Sequence, residues 1–366
     1  MRVTLCVDAL QPQLTGIGRY TWELCKRLPA QEEISCLQFY RGDDMVARPD
    51  HFLVEGENGS VRRRSPRWFR RLRTRRALRS SVVHGPNYFL PAHADTGVIT
   101  VHDLSVFRHP EMHPRARIEA FERLFQSSLS RASHVITDTE TVRRELIDTL
   151  SLSPKIVSAI PLGVEPSYRA RAADELAPQL RKWGLEPGRY GISVAALEPR
   201  KKTAELVLAW SRLPHEVRDR FPLVLAGAPG WSNESLHEKI AAAQSEGWLK
   251  HLGYVPEEAL PQLYSGARLF IYPSIYEGFG LPPLEAMASG TPVIVANRSC
   301  LPEVCGDAGF YVDPDDLDGF TNAIHKGLLD EEWHSGAVRR GLRRAQLYRW
   351  DRCVKETVTV YKQVLS

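Results

Sequence analysis

The chain has 366 residues, a formal net charge of +4, 43% hydrophobic and 25% charged residues. Such a length suits two domains of ordinary size, and the apolar share excludes a disordered or collagen-like chain. No apolar run reaches the ~20 residues that cross a bilayer, no cleaved leader is expected before the first strand, and the six cysteines (Cys6, Cys25, Cys36, Cys300, Cys305, Cys353) form no C-x-x-C pair and have no histidine at zinc spacing, which points to reduced thiols in the cytosol.

Apolar β-branched runs alternate with amphipathic stretches twice over, the pattern of parallel sheets joined by crossover helices. In the first half, strands are predicted at Val3–Asp8, Val82–His84, Val98–Val101, Val135–Thr137 and Val157–Ile160. Ahead of the second of these, Arg62 to Arg79 holds ten arginines interleaved with Trp68, Phe69, Leu72 and Leu78, a charge density that requires a nearby anion. In the second half, strands are predicted at Tyr190–Val194, Leu223–Ala226, Leu269–Tyr272, Pro292–Val295 and Gly309–Val312. The result is an α/β protein of two doubly wound domains facing across a cleft, with ligands at the carboxyl ends of strands. The domains are placed at 1–170 and 171–345, divided within the polar passage Gly163–Gly188. Residues 346–366 form a last helix with Trp350, Val354, Val358 and Tyr361 at helical spacing.

Several strand ends carry chemistry. After the first strand, Gly16 and Gly18 expose amides at a helix start, a pattern that is a plain tight turn as often as a ligand loop. His84 and the pair His102-Asp103 end two later strands, and a lone histidine there is by default a buried structural residue. Glu198-Pro-Arg-Lys-Lys202 follows the first strand of the second domain, so Arg200, Lys201 and Lys202 stand where a phosphate binds. The most informative run is Pro273 to Gly290. It sets Glu277 and Glu285 around a turn in which Gly278 and Gly280 free the backbone, Pro282 and Pro283 open a helix, and the amides of the first helical turn await an anion.

This run resembles the hallmark of the retaining glycosyltransferases of family 4, two glutamates separated by seven residues around a Phe-Gly-Leu-Pro turn, and the resemblance extends over almost the whole chain. It implies a GT-B fold of two Rossmann-like domains with the last helix crossing back onto the first, and it implies site roles. Gly16 and Gly18 lie near the donor phosphate, and His102 lies against the transferred sugar. Arg200 and Lys201 neutralise the leaving diphosphate with the amides of Gly278, Phe279, Gly280 and Leu281. Glu277 serves the reacting sugar. Glu285, taken as part of the first helical turn, accepts from the ribose hydroxyls. The family more often has Asn or Gly at the position of Lys202, whose role stays open.

The resemblance extends to bacterial mannosyltransferases of O-antigen or exopolysaccharide assembly. It makes GDP-mannose the first donor, with UDP-glucose, UDP-N-acetylglucosamine and dTDP-rhamnose as alternatives. The implied acceptor is a lipid-linked saccharide. The Arg62–Arg79 segment would hold the protein peripherally on the anionic inner face of the cytoplasmic membrane. No metal or other cofactor is expected: Asp313-Pro-Asp315 has the spacing of a metal-binding D-x-D, but sits in a turn, and the cationic loop already serves the diphosphate. A dinucleotide enzyme fails on the missing third glycine, and a nucleic-acid binder would not need the paired glutamates.

Overall fold

The computed structural model describes residues 1–54, 67–113, 115–228, 230 and 234–365, without the side chains of 67–70 and 117. They divide into two compact units, Met1–Gly163 together with the segment from Trp350 on, and Val164–Arg349.

The first unit holds strands β1 (Arg2–Cys6), β2 (Cys36–Arg41), β3 (Asp44–Val46), β4 (Val82–Gly85), β5 (Gly97–Val101), β6 (Ala132–Thr137) and β7 (Val157–Ala159), ordered β3-β2-β1-β4-β5-β6-β7. Pairing is parallel except where β3 returns antiparallel on β2. The order reverses between β1 and β4, where Leu5 lies opposite His84. Strands β4 and β5 are buried along their whole length, as continuous Val/Ile runs in a sheet covered on both faces should be.

The second unit holds β8 (Gly191–Val194), β9 (Leu223–Ala226), β10 (Leu249–His251), β11 (Leu269–Tyr272), β12 (Val293–Ala296) and β13 (Gly309–Val312), ordered β10-β9-β8-β11-β12-β13 and parallel throughout. Its order reverses between β8 and β11. Trp210, Leu223, Ile271, Ile294 and Phe320 lie in its buried core. Both sheets are Rossmann-like, as expected. Strands β2, β3 and β10 were not predicted; β3 and β10 are short edge strands, β2 between β3 and β1 is half-exposed, and none carries a continuous apolar run.

The unit boundary falls at Gly163/Val164 rather than 170/171, because Val164 N–H donates to Tyr348 O (3.4 Å) and the Tyr168 ring packs on Tyr264. At the other end the second unit runs to Arg349 rather than 345: Tyr348 Oη donates to Val304 O (3.2 Å) and its ring meets Phe279 edge to face. The last helix, Trp350–Leu365, belongs to the first unit. Tyr361 Oη bonds His84 Nδ1 (2.7 Å), and Asp351 pairs with Arg27 (2.7 Å).

Of the arginine segment, residues 62–66 lie outside the described residues, and Arg67–Arg79 is a helix. Thr74 and Leu78 are buried, one turn apart, while Arg71, Leu72, Arg73, Arg75, Arg76 and Arg79 are exposed. The side chains of Trp68 and Phe69 lie outside the description. Among the described residues, no helix is long and apolar enough to cross a membrane.

Candidate active site

In the second unit, the strands on either side of the order reversal send their connections in opposite directions, which opens a crevice at their carboxyl ends. The β8 connection turns through the short 3-10 segment Pro199–Lys201, and the β11 connection carries Pro273 to Gly280. Glu277 joins the two. It accepts from Arg200 Nη1 at Oε2 (3.2 Å) and from Lys201 Nζ at Oε1. Lys201 Nζ also donates to Tyr272 Oη (2.8 Å), and Arg200 donates to Tyr276 O (2.9 Å) and, through Nε, to Glu198 Oε2 (3.0 Å). Burial would push the Glu277 carboxyl up, but Lys201 and Arg200 override it and hold it at about 2, so the group is ionised at neutral pH. Ser299 clamps the backbone beneath it, its Oγ accepting from Glu277 N–H (3.3 Å) and donating to Glu277 O (2.6 Å).

The cradle is narrower than the sequence suggests. Of Gly278 and Gly280, only Gly280 adopts a positive φ, of 90°, and a Cβ there would stand 2.9 Å from Leu301 Cδ2. Gly280 caps the helix Leu281–Ala288. Pro282 and Pro283 have no N–H to offer, and Leu284 N–H reaches Gly280 O at 3.5 Å. The amides available to an anion at this helix start are those of Phe279, Gly280 and Leu281. Glu285 is buried and lies in the second helical turn, not the first, because the helix begins only at Leu281.

Lys202 is committed elsewhere. Its ammonium pairs with Glu205 (2.8 Å) and Asp315 (3.0 Å), and its φ of 53° explains why Asn or Gly suits the position. Asp313 takes both its oxygens to Arg298 Nη2 (3.0 and 2.9 Å), so the D-x-D carboxylates face cations. No cluster of potential metal ligands occurs among the described residues.

In the first unit, the helix Gly16–Arg27 begins at Gly16, with Thr15 as its N-cap. Thr15 Oγ1 takes the Gly18 N–H (3.4 Å), so that amide is spent within the cap. Gly18 matters instead for close approach: a Cβ would meet Ala9 O and Leu14 Cδ2, each at 3.0 Å. His102 has both ring nitrogens occupied, Nδ1 by Asp138 Oδ2 (2.7 Å) and Nε2 by Pro86 O (2.8 Å). A carbonyl only accepts, so Nε2 carries the proton, and in this conformation the ring has no N–H left for a sugar hydroxyl. Burial would lower the His102 pKa, but Asp138 raises it above the ordinary histidine value. His84 is a core residue: fully buried and bonded to Tyr361 Oη and Thr100 Oγ1 (2.9 Å), it is pushed down to about 3 by burial. Sequence reasoning missed Tyr272, Ser299 and Asp138. Only Glu198, inside the quoted Glu-Pro-Arg-Lys run, had a signal.

Comparison with known proteins agrees with this geometry. Residues 14–168 match the family described as Glycosyltransferase Family 4, and residues 179–343 match Glycosyl transferases group 1. The O-antigen chain mannosyltransferase B of Escherichia coli is 37% identical over 381 aligned positions, covering 99% of this chain and 100% of that protein. A serotype-specific mannosyltransferase, WbdA of Escherichia coli, is 32% identical over 248 residues, 67% of this chain but only 29% of that longer protein. Among solved structures, sucrose-phosphate synthase from Thermosynechococcus elongatus superposes with a TM-score of 0.76 at 19% identity, covering 100% of this chain and 99% of that one, a likeness of fold.

Proposed function

The chain belongs to the glycosyltransferases of family 4 and group 1 and so transfers glycosyl groups, and we propose that it moves mannose from GDP-mannose to a lipid-linked saccharide acceptor in O-antigen assembly, with retention at the anomeric carbon. The observation that supports this reading best is Glu277 ion-paired with Arg200 and Lys201 at the order reversal, beside the Gly280-capped helix. Arg200, Lys201 and the amides of Phe279, Gly280 and Leu281 stabilise the diphosphate as the glycosidic C–O bond breaks, and stabilisation that grows with leaving-group charge lowers the barrier. The acceptor hydroxyl attacks the same face through an oxocarbenium-like ion pair, and the departing phosphate takes its proton. Glu277 holds hydroxyls of the transferred sugar and Glu285 those of the ribose. His102 enters as the residue that fixes the Pro86 turn. The mannosyl donor and the O-antigen acceptor rest on the names of the relatives. The helix Arg67–Arg79 is the proposed contact with an anionic membrane that carries the acceptor.

The test is a thermal-stabilisation screen with GDP, UDP and dTDP and their sugars, where a ligand at 100 times its Kd adds about 2.7 kcal/mol. GDP and GDP-mannose should stabilise the protein most. Glu285→Ala should abolish that shift, whereas Glu277→Ala should not reduce the shift with GDP and should lower turnover by about 10²-fold or more. Full turnover in Glu277→Ala would overturn the assignment.

A further inference from the structure

We infer that Glu277 is an internal counter-anion that the donor's diphosphate must displace from Arg200 and Lys201, and that it thereby discriminates sugar-loaded nucleotide from spent nucleoside diphosphate. The inference rests on the donor-site reading above. A phosphate site built from Arg and Lys is expected to hold uncompensated positive charge. Here it does not: Arg200 pairs with both Glu198 and Glu277, and Lys201 pairs with Glu277, so two cations face two carboxylates. Both phosphate-binding cations are compensated before any ligand enters.

Glu277 is the carboxylate a ligand must move. It pairs with both cations, its own side chain is 10% exposed, and it lies on the loop that ends in the anion-binding helix start. Ser299 holds the residue 277 backbone from both sides, so the exchange is a rotation of the side chain and not a shift of the loop. A buried carboxylate stripped of its cations is costly unless new donors replace them. Hydroxyls of the transferred sugar are such donors. A nucleoside diphosphate without its sugar brings phosphate oxygens that evict Glu277 and nothing that re-pairs it. The donor therefore binds with its eviction compensated, while the product binds against it and leaves more readily. Glu198 is the internal control, since it pairs with Arg200 and, among the described residues, forms no salt bridge to Lys201.

Calorimetric titration of the full chain with inorganic pyrophosphate, GDP, UDP and GDP-mannose tests this in the wild type, Glu277→Gln and Glu198→Gln. Glu277→Gln keeps the shape and removes the charge. It should bind pyrophosphate and the preferred nucleoside diphosphate about tenfold tighter than wild type, and gain less for the sugar nucleotide; Glu198→Gln should gain less for both. Glu277→Asp, whose shorter carboxylate cannot span both cations, should tighten diphosphate binding in the same direction and serves if the glutamine variant does not fold. Unchanged or weaker nucleoside diphosphate binding in folded Glu277→Gln or Glu277→Asp would overturn the inference while leaving the donor site standing. A wild type that binds no nucleoside diphosphate would overturn the donor-site reading, and the inference with it.

Discussion

At the scale of single residues, the chemistry depends on pairings that spacing does not reveal. Asp313 and Asp315 have the D-x-D spacing of a metal site, yet the first meets Arg298 and the second Lys202. A divalent ion would have to compete with both cations. Transfer should therefore survive excess chelator, and Asp313→Asn should leave turnover within about twofold of wild type, its exposed ion pair being worth about 0–1 kcal/mol of stability. Loss of activity restored by magnesium or manganese would refute this. Arg200, Lys201 and Glu277 were legible because each sits at a fixed distance from a recognisable strand. That they neutralise one another was not, because β8 and β11 lie far apart in sequence and become neighbours only in the sheet. Ser299 was illegible for the same reason: a serine in the turn after β12 acquires meaning only when its hydroxyl closes on the backbone of residue 277. His102 was found by position, but its partners Asp138 and Pro86 were not, because each lies at another strand end and meets the ring only in the sheet.

At the scale of elements, the C-terminal helix is tied to the first sheet by one buried polar chain. Tyr361 Oη meets His84, His84 meets Thr100, and Thr100 Oγ1 meets Tyr20 Oη (3.0 Å). Because desolvation keeps His84 neutral, with a folded pKa of about 3 against an ordinary 6.5, the unfolded chain binds its proton more readily. The sign follows: this contribution is fully present above pH 6.5 and is lost as pH falls from 6.5 toward 3, by a few kcal/mol at most if each pKa unit is worth ~1.4 kcal/mol. The unfolding free energy of the wild type should fall more steeply between pH 6.5 and 4 than that of His84→Gln, whose amide does not titrate. Equal slopes would show that His84 does not titrate on unfolding. Tyr361→Phe, which strands a buried ring nitrogen, should cost about 1–3 kcal/mol in denaturant unfolding. The helix itself was legible from Trp350, Val354, Val358 and Tyr361 at helical spacing, and the central strands from their unbroken apolar runs. Strands β2, β3 and β10 were not: β3 and β10 are paired on one side only, and β2, though paired on both, is half-exposed along most of its length, so none needs such a run.

At the scale of the whole molecule, a net charge of +4 is small, and the arginine segment concentrates it. The helix Arg67–Arg79 is anchored by Thr74 and Leu78, and that spacing leaves Arg71, Arg75 and Leu72 on exposed positions; Leu72 is 60% exposed. Arg79 is tied to Asp95 (2.7 Å), but a helix whose remaining exposed residues are mostly arginine gains little from its own unit. An anionic surface would supply the missing charge, each arginine adding about 1 kcal/mol within a screening length of about 8 Å at physiological salt, and Leu72 would supply apolar contact that salt does not screen. Binding to lipid vesicles should then rise with the anionic fraction and fall steeply as ionic strength increases. Arg71→Gln with Arg75→Gln should weaken binding at low salt, by up to about fivefold per charge if each is worth about 1 kcal/mol. Leu72→Ser should instead reduce the part that persists at high salt. Equal affinity for neutral and anionic vesicles, or affinity for neither, would leave these arginines as a solvated helix face and would require the enzyme to meet its acceptor by some other surface.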